Sequence, residues 1–354
     1  MDVNQILQDE VLAAEARKLL HDPDRAFPVL VAKIKLTWQC NLKCWFCSLW
    51  RLPDDGSPPV LPPAGVESLL RGLKTQGLKK VHFSGGEALL RPDFPEILRL
   101  TAGLGLQVNL TTNGTLLNRE AARAMIEHRV HTVAFSLDAA SEKKHDQTRG
   151  VAGAWRLTWK GLETLRNKKA QKGRGPVVAV NTVVTRKNIE ALPELHELLK
   201  QRGIESWRLL PLRTSHKGLR PLAAQWRLMS RTLDSWKPLL ARELAGPRSI
   251  RDARKAGKGL FAGAAFERHG CYAPWFSLFV DADGRAFPCC TGRRKMPSYG
   301  RVGEGSGMEI LDSRARREIR ASLASGYDFE VCRSCDEFLA ENEIFARAIG
   351  PRRE

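Results

Sequence analysis

The sequence predicts an α/β protein built on a parallel sheet, followed by a small α+β domain. Through residues 30–212, short apolar runs alternate with amphipathic stretches, which is typical of parallel strands covered by helices. After residue 271, apolar residues alternate around Asp281–Gly284, which indicates a β-hairpin, and a helical stretch follows it. Periodicity alone leaves open whether the parallel sheet closes into a partial barrel or stays open.

Each element has its own pattern in the sequence. Six apolar runs are predicted strands: "AKIKLTW", "KVHFSGG", "LQVNLTTNG", "HTVAFSLD", "PVVAVNTVV" and "SWRLLPL". The predicted helices between them are residues 65–76, 93–104, 118–128, 154–169 and 188–202. Residues 1–29 form a predicted helical extension, 213–270 a mainly helical basic segment, and 271–354 the small domain, whose last predicted helix stops at Gly326.

The chain carries a formal net charge of +18, and half of this excess lies in one segment. Residues 213–270 contain 13 Lys and Arg against 4 Asp and Glu. Such a segment fits an acidic or phosphorylated substrate, while the simpler interpretation is a solvated helical face. No run of 18 apolar residues occurs, and the first twenty residues do not resemble a secretory signal. We therefore expect a cytoplasmic protein that does not span a membrane.

The eight cysteines fall into two groups, which predicts two metal or redox sites rather than disulfides. Cys40, Cys44 and Cys47 follow the first predicted strand, where parallel α/β folds place their chemistry. Structural zinc takes four protein ligands, and the next candidate, His82, lies inside the second strand. Three thiolates without a fourth ligand suit an iron–sulfur cluster with one iron left open.

The spacing of these cysteines, with Phe46 before the last, resembles the motif of the radical S-adenosylmethionine (SAM) superfamily. The resemblance covers about residues 30–212 and implies a partial (β/α)6 barrel. It implies that the three thiolates hold a 4Fe–4S cluster whose open iron is chelated by SAM. Phe46 is then expected near the adenine.

The resemblance extends to the ends of the later strands. Gly85 and Gly86 are expected to let the backbone approach a ligand, and Glu87 to bind the amine of SAM. Ser136, Asp138, Arg149 and Asn181 match positions where members of the family often have polar side chains that face SAM or the substrate. Arg149 is expected to pair with the carboxylate of SAM, and Asn181 to reach its ribose. Each of these residues also has a simpler interpretation as a cap or turn residue.

The C-terminal cysteines are similar to those of SPASM and twitch auxiliary-cluster domains. Four of them are the expected ligands of one auxiliary 4Fe–4S cluster: Cys271, Cys289, Cys332 and Cys335. Cys290 is the alternative to Cys289, since neighbours in a hairpin point to opposite faces. A zinc site with four thiolates has the same spacing and stays open as an alternative.

The resemblance implies a radical SAM enzyme that forms a 5′-deoxyadenosyl radical and oxidises its substrate by removing a hydrogen atom. A peptide or protein substrate is ranked slightly ahead of a small, acidic or phosphorylated metabolite. A flavodoxin- or ferredoxin-type protein is the expected electron donor, and the auxiliary cluster the electron acceptor. The alternative from another class is a zinc-containing nucleic-acid-binding protein without redox chemistry, against which the missing fourth ligand at the first site argues.

Overall fold

A computed structural model describes most of the chain. The described residues are 10–19, 22, 25, 27–51, 59–212, 217–236, 271–293, 295–302, 308–325, 329–335, 342 and 345. Most of the predicted basic segment, part of the N-terminal extension and the predicted helix stop at Gly326 lie outside them.

The chain divides into two compact units. The larger unit comprises Lys35–Pro59 and His82–Gly259, and the smaller unit Met1–Ile34, Val60–Val81 and Leu260–Glu354. The cysteine loop 40–47 belongs to the larger unit, and the C-terminal cysteines to the smaller one.

All six predicted strands are present. They are β1 Val31–Lys35, β2 Lys80–Ser84, β3 Gln107–Thr112, β4 Thr132–Ser136, β5 Val177–Val184 and β6 Ser206–Pro211. They are neighbours in sequence order, and β3 to β6 pair in parallel. The carboxyl ends of β3 to β6 therefore meet at one edge, and Ser136 lies at this end of β4.

Helices connect the strands. They are α1 Glu10–Lys18, α2 Pro63–Thr75, α3 Phe94–Ala102, α4 Arg119–Glu127, α5 Glu142–Arg149, α6 Ala154–Lys172, α7 Leu192–Gln201 and α8 Ala223–Trp236. Local chemistry sets several ends: the Asn118 side chain accepts from Ala121 N, and Gly173 ends α6 with a left-handed backbone. The predicted helix 188–202 begins as a 3-10 turn, Ile189–Ala191.

Helix α5 is absent from the predicted elements. It has eight residues, and only His145 and Arg149 among them are buried. Without an apolar stripe it has no periodic signal. Gly150 ends it with φ +71°, a conformation that glycine adopts without strain.

The two faces of β6 differ in the larger unit. Trp207 is fully buried, donates from Nε1 to Thr182 Oγ1 at 2.9 Å, and packs on His196 and Trp236 of α7 and α8. The next residue, Arg208, points to the opposite face because side chains alternate along a strand. The helix-facing side is therefore the apolar core, and the other side carries polar residues.

The smaller unit contains the predicted hairpin. Strand β7 (Ser277–Val280) pairs in parallel with β1, and in antiparallel with β8 (Arg285–Phe287), which pairs with β9 (Gly300–Arg301). Helix α9 (Ala273–Phe276) follows Cys271, and α10 (Arg314–Ala324) lies in the last predicted helix. Within the described residues, none of the helices has the length and apolar character needed to cross a bilayer.

Candidate active site

Cys40, Cys44 and Cys47 lie in the loop after β1 and line one cavity of about 110 Å³ in the larger unit. The rest of its lining comes from the same loop, from the ends of β2, β3 and β4, and from Arg149 of α5. Burial raises the pKa of the Cys40 thiol to about 11, and it also raises the pKa of Cys44. Binding of these thiols to a metal therefore requires loss of their protons.

The C-terminal end of α5 anchors the cysteine loop. Lys43 N donates to Arg149 O at 2.9 Å, and Trp45 N to Thr148 O at 3.3 Å. A side chain at Gly150 would overlap the carbonyl oxygen of Lys43. These contacts set the path of the chain between the cysteines, so an element that lacks an apolar pattern positions the site.

Gly85 and Gly86 follow β2, line the cavity, and pack against the backbone that leads into the cysteine loop. Gly86 N donates to Thr37 O at 2.7 Å, and a Cβ on Gly85 would lie 2.6 Å from that oxygen. A Cβ on Gly86 would overlap the carbonyl oxygens of Trp38 and Gln39. These two glycines therefore let one backbone segment pack closely on another. Their predicted close approach to a ligand stays a separate prediction.

Gly86→Ala should destabilise the protein by about 3 kcal/mol, at the upper end of overpacking costs, because the atoms in the way are backbone. Gly103→Ala is the matched control, since Gly103 has φ −60° and its nearest neighbour would lie 3.5 Å away. Urea unfolding measures both changes in the free energy of unfolding. Equal effects of the two substitutions would contradict the packing described for Gly86.

The Glu87 carboxylate is buried at 1% exposure and supports the end of β3. It accepts from Thr112 Oγ1 at 2.7 Å, Asn113 N at 2.6 Å and Leu89 N at 3.0 Å. Burial raises the pKa of Glu87, while these donors favour its charged form. Its expected contact with the amine of SAM stays a prediction.

Asn113 is a site residue that sequence reasoning missed. Its side chain donates to Asn41 Oδ1 at 2.9 Å and lies 3.9 Å from Cys40 Sγ. Glu87 fixes the backbone of Asn113, and Asn113 fixes the cysteine loop. Two signals pointed to it: its position directly after β3, and the resemblance of Thr111–Gly114 to the third-strand segment of the radical SAM family.

Arg149 and Asp138 form a buried ion pair beside Cys44. Arg149 Nη2 lies 2.8 Å from Asp138 Oδ2, with side chains 7% and 0% exposed. Arg149 Nη1 lies 3.6 Å from Cys44 Sγ, and the guanidinium is 5.7 Å from the Phe46 ring centre. Arg149 Nε is buried without a hydrogen-bond partner within the described structure. Arg149 thus places a positive charge at the cavity.

Ser136 and Asn181 occupy paired positions on β4 and β5. Ser136 lines the cavity, whereas Asn181 lies beyond its lining. Asn181 is 8% exposed, and its Oδ1 accepts no hydrogen bond within the described structure. Asp138 follows β4, and its Oδ1 accepts from Val183 N at 2.9 Å. This hydrogen bond ties the end of β4 to β5.

His145 lies beside the same buried ion pair and makes the stability of the protein depend on pH. Its Nδ1 accepts from Asp138 N at 3.2 Å, and burial, reinforced by the Arg149 charge, lowers the pKa of His145 to about 2. Between pH 6.5 and 2 the unfolded chain binds a proton that the folded chain excludes, so stability falls as pH falls.

His145→Asn keeps an acceptor and removes this titration. Wild type should lose about 1.4 kcal/mol per pH unit below 6.5 relative to the variant. Urea unfolding at pH 7.5, 6.0 and 5.0 measures the difference. A constant difference across this range would contradict a neutral buried His145.

The C-terminal cysteines gather in the smaller unit. Cys271 precedes α9, Cys289 and Cys290 follow β8, and Cys332 and Cys335 belong to the turn that includes a 3-10 helix, Glu330–Ser334. Burial raises the pKa of the Cys271 thiol, and the charges of Cys335 and Cys332 raise it further. Burial likewise raises the pKa of Cys289, with Cys290, Cys335 and Cys271 contributing. Cys335 therefore lies within electrostatic reach of Cys271 and Cys289, and Cys332 within reach of Cys271.

Two buried arginines of α10 hold the segment after Cys271. Arg316 Nη2 donates to Trp275 O at 3.5 Å, and Arg320 Nε to Pro274 O at 3.3 Å. The Arg320 guanidinium also lies 5.6 Å from the Trp275 ring centre. These contacts fix the path of the chain that follows Cys271.

Two family models match the chain where these two groups of cysteines lie. The radical SAM superfamily model matches residues 34–199, and that of the SPASM iron–sulfur cluster-binding domain matches residues 271–336. The chain contains a radical SAM domain followed by a SPASM-type domain. The predicted family resemblance and α/β fold class are confirmed.

Relatives of known sequence carry names from haem biosynthesis. The chain is 29% identical over 271 residues to an AdoMet-dependent heme synthase of Methanosarcina barkeri, covering 72% of this chain and 75% of that protein. It is 30% identical over 178 residues to an AdoMet-dependent heme synthase of Oleidesulfovibrio alaskensis, covering 50% and 44%. The match therefore spans less than half the length of the second protein.

Solved structures share the fold. SuiB of Streptococcus suis bound to its precursor peptide SuiA has a TM-score of 0.66 at 18% identity, covering 86% of this chain and 69% of that chain. The anSMEcpe structure with bound AdoMet has a TM-score of 0.62 at 15% identity, covering 90% and 96%. At these identities the likeness shows the fold alone.

The radical SAM domain implies a 4Fe–4S cluster and SAM as cofactors, and the SPASM-type domain implies an auxiliary iron–sulfur cluster. The larger unit fits a 4Fe–4S cluster and SAM, because three thiols and the Arg149 side chain line one cavity. Among the described residues, no three His, Cys, Asp or Glu side chains converge on one metal-ion position, so the fit to a cluster rests on three thiols that share one cavity.

Proposed function

We propose that the chain is a radical SAM enzyme whose reaction takes place at the cavity lined by Cys40, Cys44 and Cys47. One observation carries this proposal. Among the described residues, the cavity lining supplies three thiols and no carboxylate or imidazole. Such a donor set suits a cluster that keeps one iron open for a ligand.

When bound, the cluster and SAM supply a 5′-deoxyadenosyl radical that removes a hydrogen atom from the substrate. The chain's own residues hold and orient these groups. Arg149 keeps a positive charge beside Cys44, which would favour an anionic group in the cavity. Gly85 and Gly86 bring backbone to the cavity, and Phe46 adds an aromatic wall.

The proposed residues keep the predicted assignments. Cys40, Cys44 and Cys47 hold the first cluster. Residues toward SAM are Phe46, Gly85, Gly86, Glu87, Ser136, Arg149 and Asn181. Ligands of one auxiliary 4Fe–4S cluster are Cys271, Cys289, Cys332 and Cys335. Of the adjacent pair, Cys289 is the proposed ligand and Cys290 stays the alternative.

The substrate class we propose is an iron-porphyrin carboxylate, which falls within the predicted class of small acidic metabolites. The names of four relatives support it, three AdoMet-dependent heme synthases and one Fe-coproporphyrin III synthase. The net charge of +18 favours such an anion. The predicted peptide substrate is the second candidate, and a structural neighbour bound to a precursor peptide is consistent with it.

We further propose that a flavodoxin- or ferredoxin-type protein in the cytoplasm reduces the first cluster. An auxiliary cluster held by Cys271, Cys289, Cys332 and Cys335 would supply an acceptor for the electron left on the substrate. Four protein thiolates would close its coordination, which suits electron transfer.

Anaerobic turnover with SAM, dithionite and iron-coproporphyrin III tests the substrate. We expect 5′-deoxyadenosine release that depends on the porphyrin, with a change in porphyrin mass seen by liquid chromatography and mass spectrometry. An unchanged porphyrin, with 5′-deoxyadenosine formed at the same rate without it, would contradict the porphyrin proposal and favour the peptide candidate.

A further inference from the structure

Three polar residues form a row across β4, β5 and β6. Ser136 pairs with Asn181, and Asn181 pairs with Arg208. Partners in register on parallel strands point to the same face of the sheet. The row therefore begins at the cavity, which Ser136 lines, and ends at Arg208.

The opposite face of the same strands is apolar and covered by helices. There Trp207 donates to Thr182 Oγ1 at 2.9 Å, and Trp236 packs on Trp207 with ring centres 5.4 Å apart. Arg208 lies between Trp207 and Leu209, both of which are fully buried, and so points away from these helices. With strands about 4.8 Å apart, its Cα lies roughly 10 Å from that of Ser136.

Burying polar side chains on this face costs free energy, and a ligand that forms hydrogen bonds with them can offset that cost. Parallel strands are normally apolar on both faces, and a buried polar group without a partner is unfavourable. Asn181 is such a group, at 8% exposure with no hydrogen bond to Oδ1 within the described structure. Arg208 is half-buried and has other contacts. A guanidinium has five donors, so it can bind a carboxylate as well.

We propose that Arg208 binds a carboxylate of the substrate, while Asn181 Oδ1 is left to accept from a ribose hydroxyl of SAM, as proposed above. This inference rests on the proposed function and assigns a substrate-binding residue that the family resemblance did not include. A carboxylate held there lies about two strands from Ser136 at the cavity. Arg208 would therefore anchor one end of a substrate whose other part reaches the reacting position.

Binding to the anaerobic holoenzyme tests this. The variants are Arg208→Gln and Arg208→Lys, and Arg202→Gln is the control because Arg202 is 45% exposed and pairs with Glu163. Iron-coproporphyrin III is titrated by absorbance, and SAM binding is measured by equilibrium dialysis. Arg208→Gln should weaken porphyrin binding about 10- to 100-fold, and Arg208→Lys less, since a charged hydrogen bond is lost. SAM binding should change by less than about 2-fold in all three variants.

A second probe isolates the carboxylate. Wild type and Arg208→Gln should bind the iron complex of coproporphyrin III tetramethyl ester equally, because the ester lacks the anion. Equal binding of the free acid by wild type and Arg208→Gln would overturn the inference alone. So would a loss confined to SAM binding. If wild type binds neither porphyrin, the proposed substrate is wrong and the inference falls with it.

Discussion

Replacing Cys40, Cys44 and Cys47 by Ala should reduce 5′-deoxyadenosine formation from SAM by about 10³-fold or more, because radical chemistry belongs to the bound cofactors. The three thiols share one cavity, and its described lining offers no other strong iron ligand. Their loss therefore removes the group that delivers the electron to SAM. Liquid chromatography of anaerobic reactions with dithionite measures the product.

The control for this variant is Cys290→Ser. Cys290 adjoins a proposed ligand, Cys289, but lies outside the proposed ligand set. Its replacement should leave 5′-deoxyadenosine formation within about 2-fold of wild type. Continued SAM cleavage by the triple variant would show that the cavity is not the site of the reaction.

Asp138→Asn should cost about 3–5 kcal/mol of unfolding free energy, because removing one member of a buried ion pair leaves the other uncompensated. The pair is almost inaccessible to water, with the Arg149 and Asp138 side chains 7% and 0% exposed. Asn is close to Asp in shape, so the change isolates the charge. Urea unfolding at pH 7.5 measures the loss.

Helix α5 offers a matched exposed pair. Glu142 binds Arg156 at 2.6 Å, with side chains 34% and 74% exposed, and Glu142→Gln should cost less than about 1 kcal/mol. The double variant Asp138→Asn, Arg149→Gln should lose less than the sum of its single variants. Equal costs for Asp138→Asn and Glu142→Gln would refute a structural role of the buried pair.

The strands and the cysteine loop after β1 could be predicted from the sequence because their signals are local. Apolar runs of five to eight residues define the strands, and the spacing of Cys40, Cys44 and Cys47 defines the loop. Helix α5 could not be predicted, since its eight residues carry no apolar stripe. Its fold depends on contacts with the cysteine loop about a hundred residues earlier.

The hydrogen-bond and ion-pair partners of the site residues could not be predicted, because they come from segments distant in the sequence. The sequence predicted that Arg149 faces a ligand, and the structure adds its ion pair with Asp138. Glu87 was predicted at the site, but its three donors come partly from the end of β3. Arg208 resembles an ordinary polar strand residue until the register places it beside Asn181.

The central claim is that the chain has one cluster site with an open iron and a second site closed by four thiolates. Iron and acid-labile sulfide measured after anaerobic purification test it most directly. We expect about eight of each per wild-type chain and about four in the variant lacking Cys40, Cys44 and Cys47. Colourless wild-type protein holding zinc, or an iron content that the triple substitution leaves unchanged, would contradict the claim.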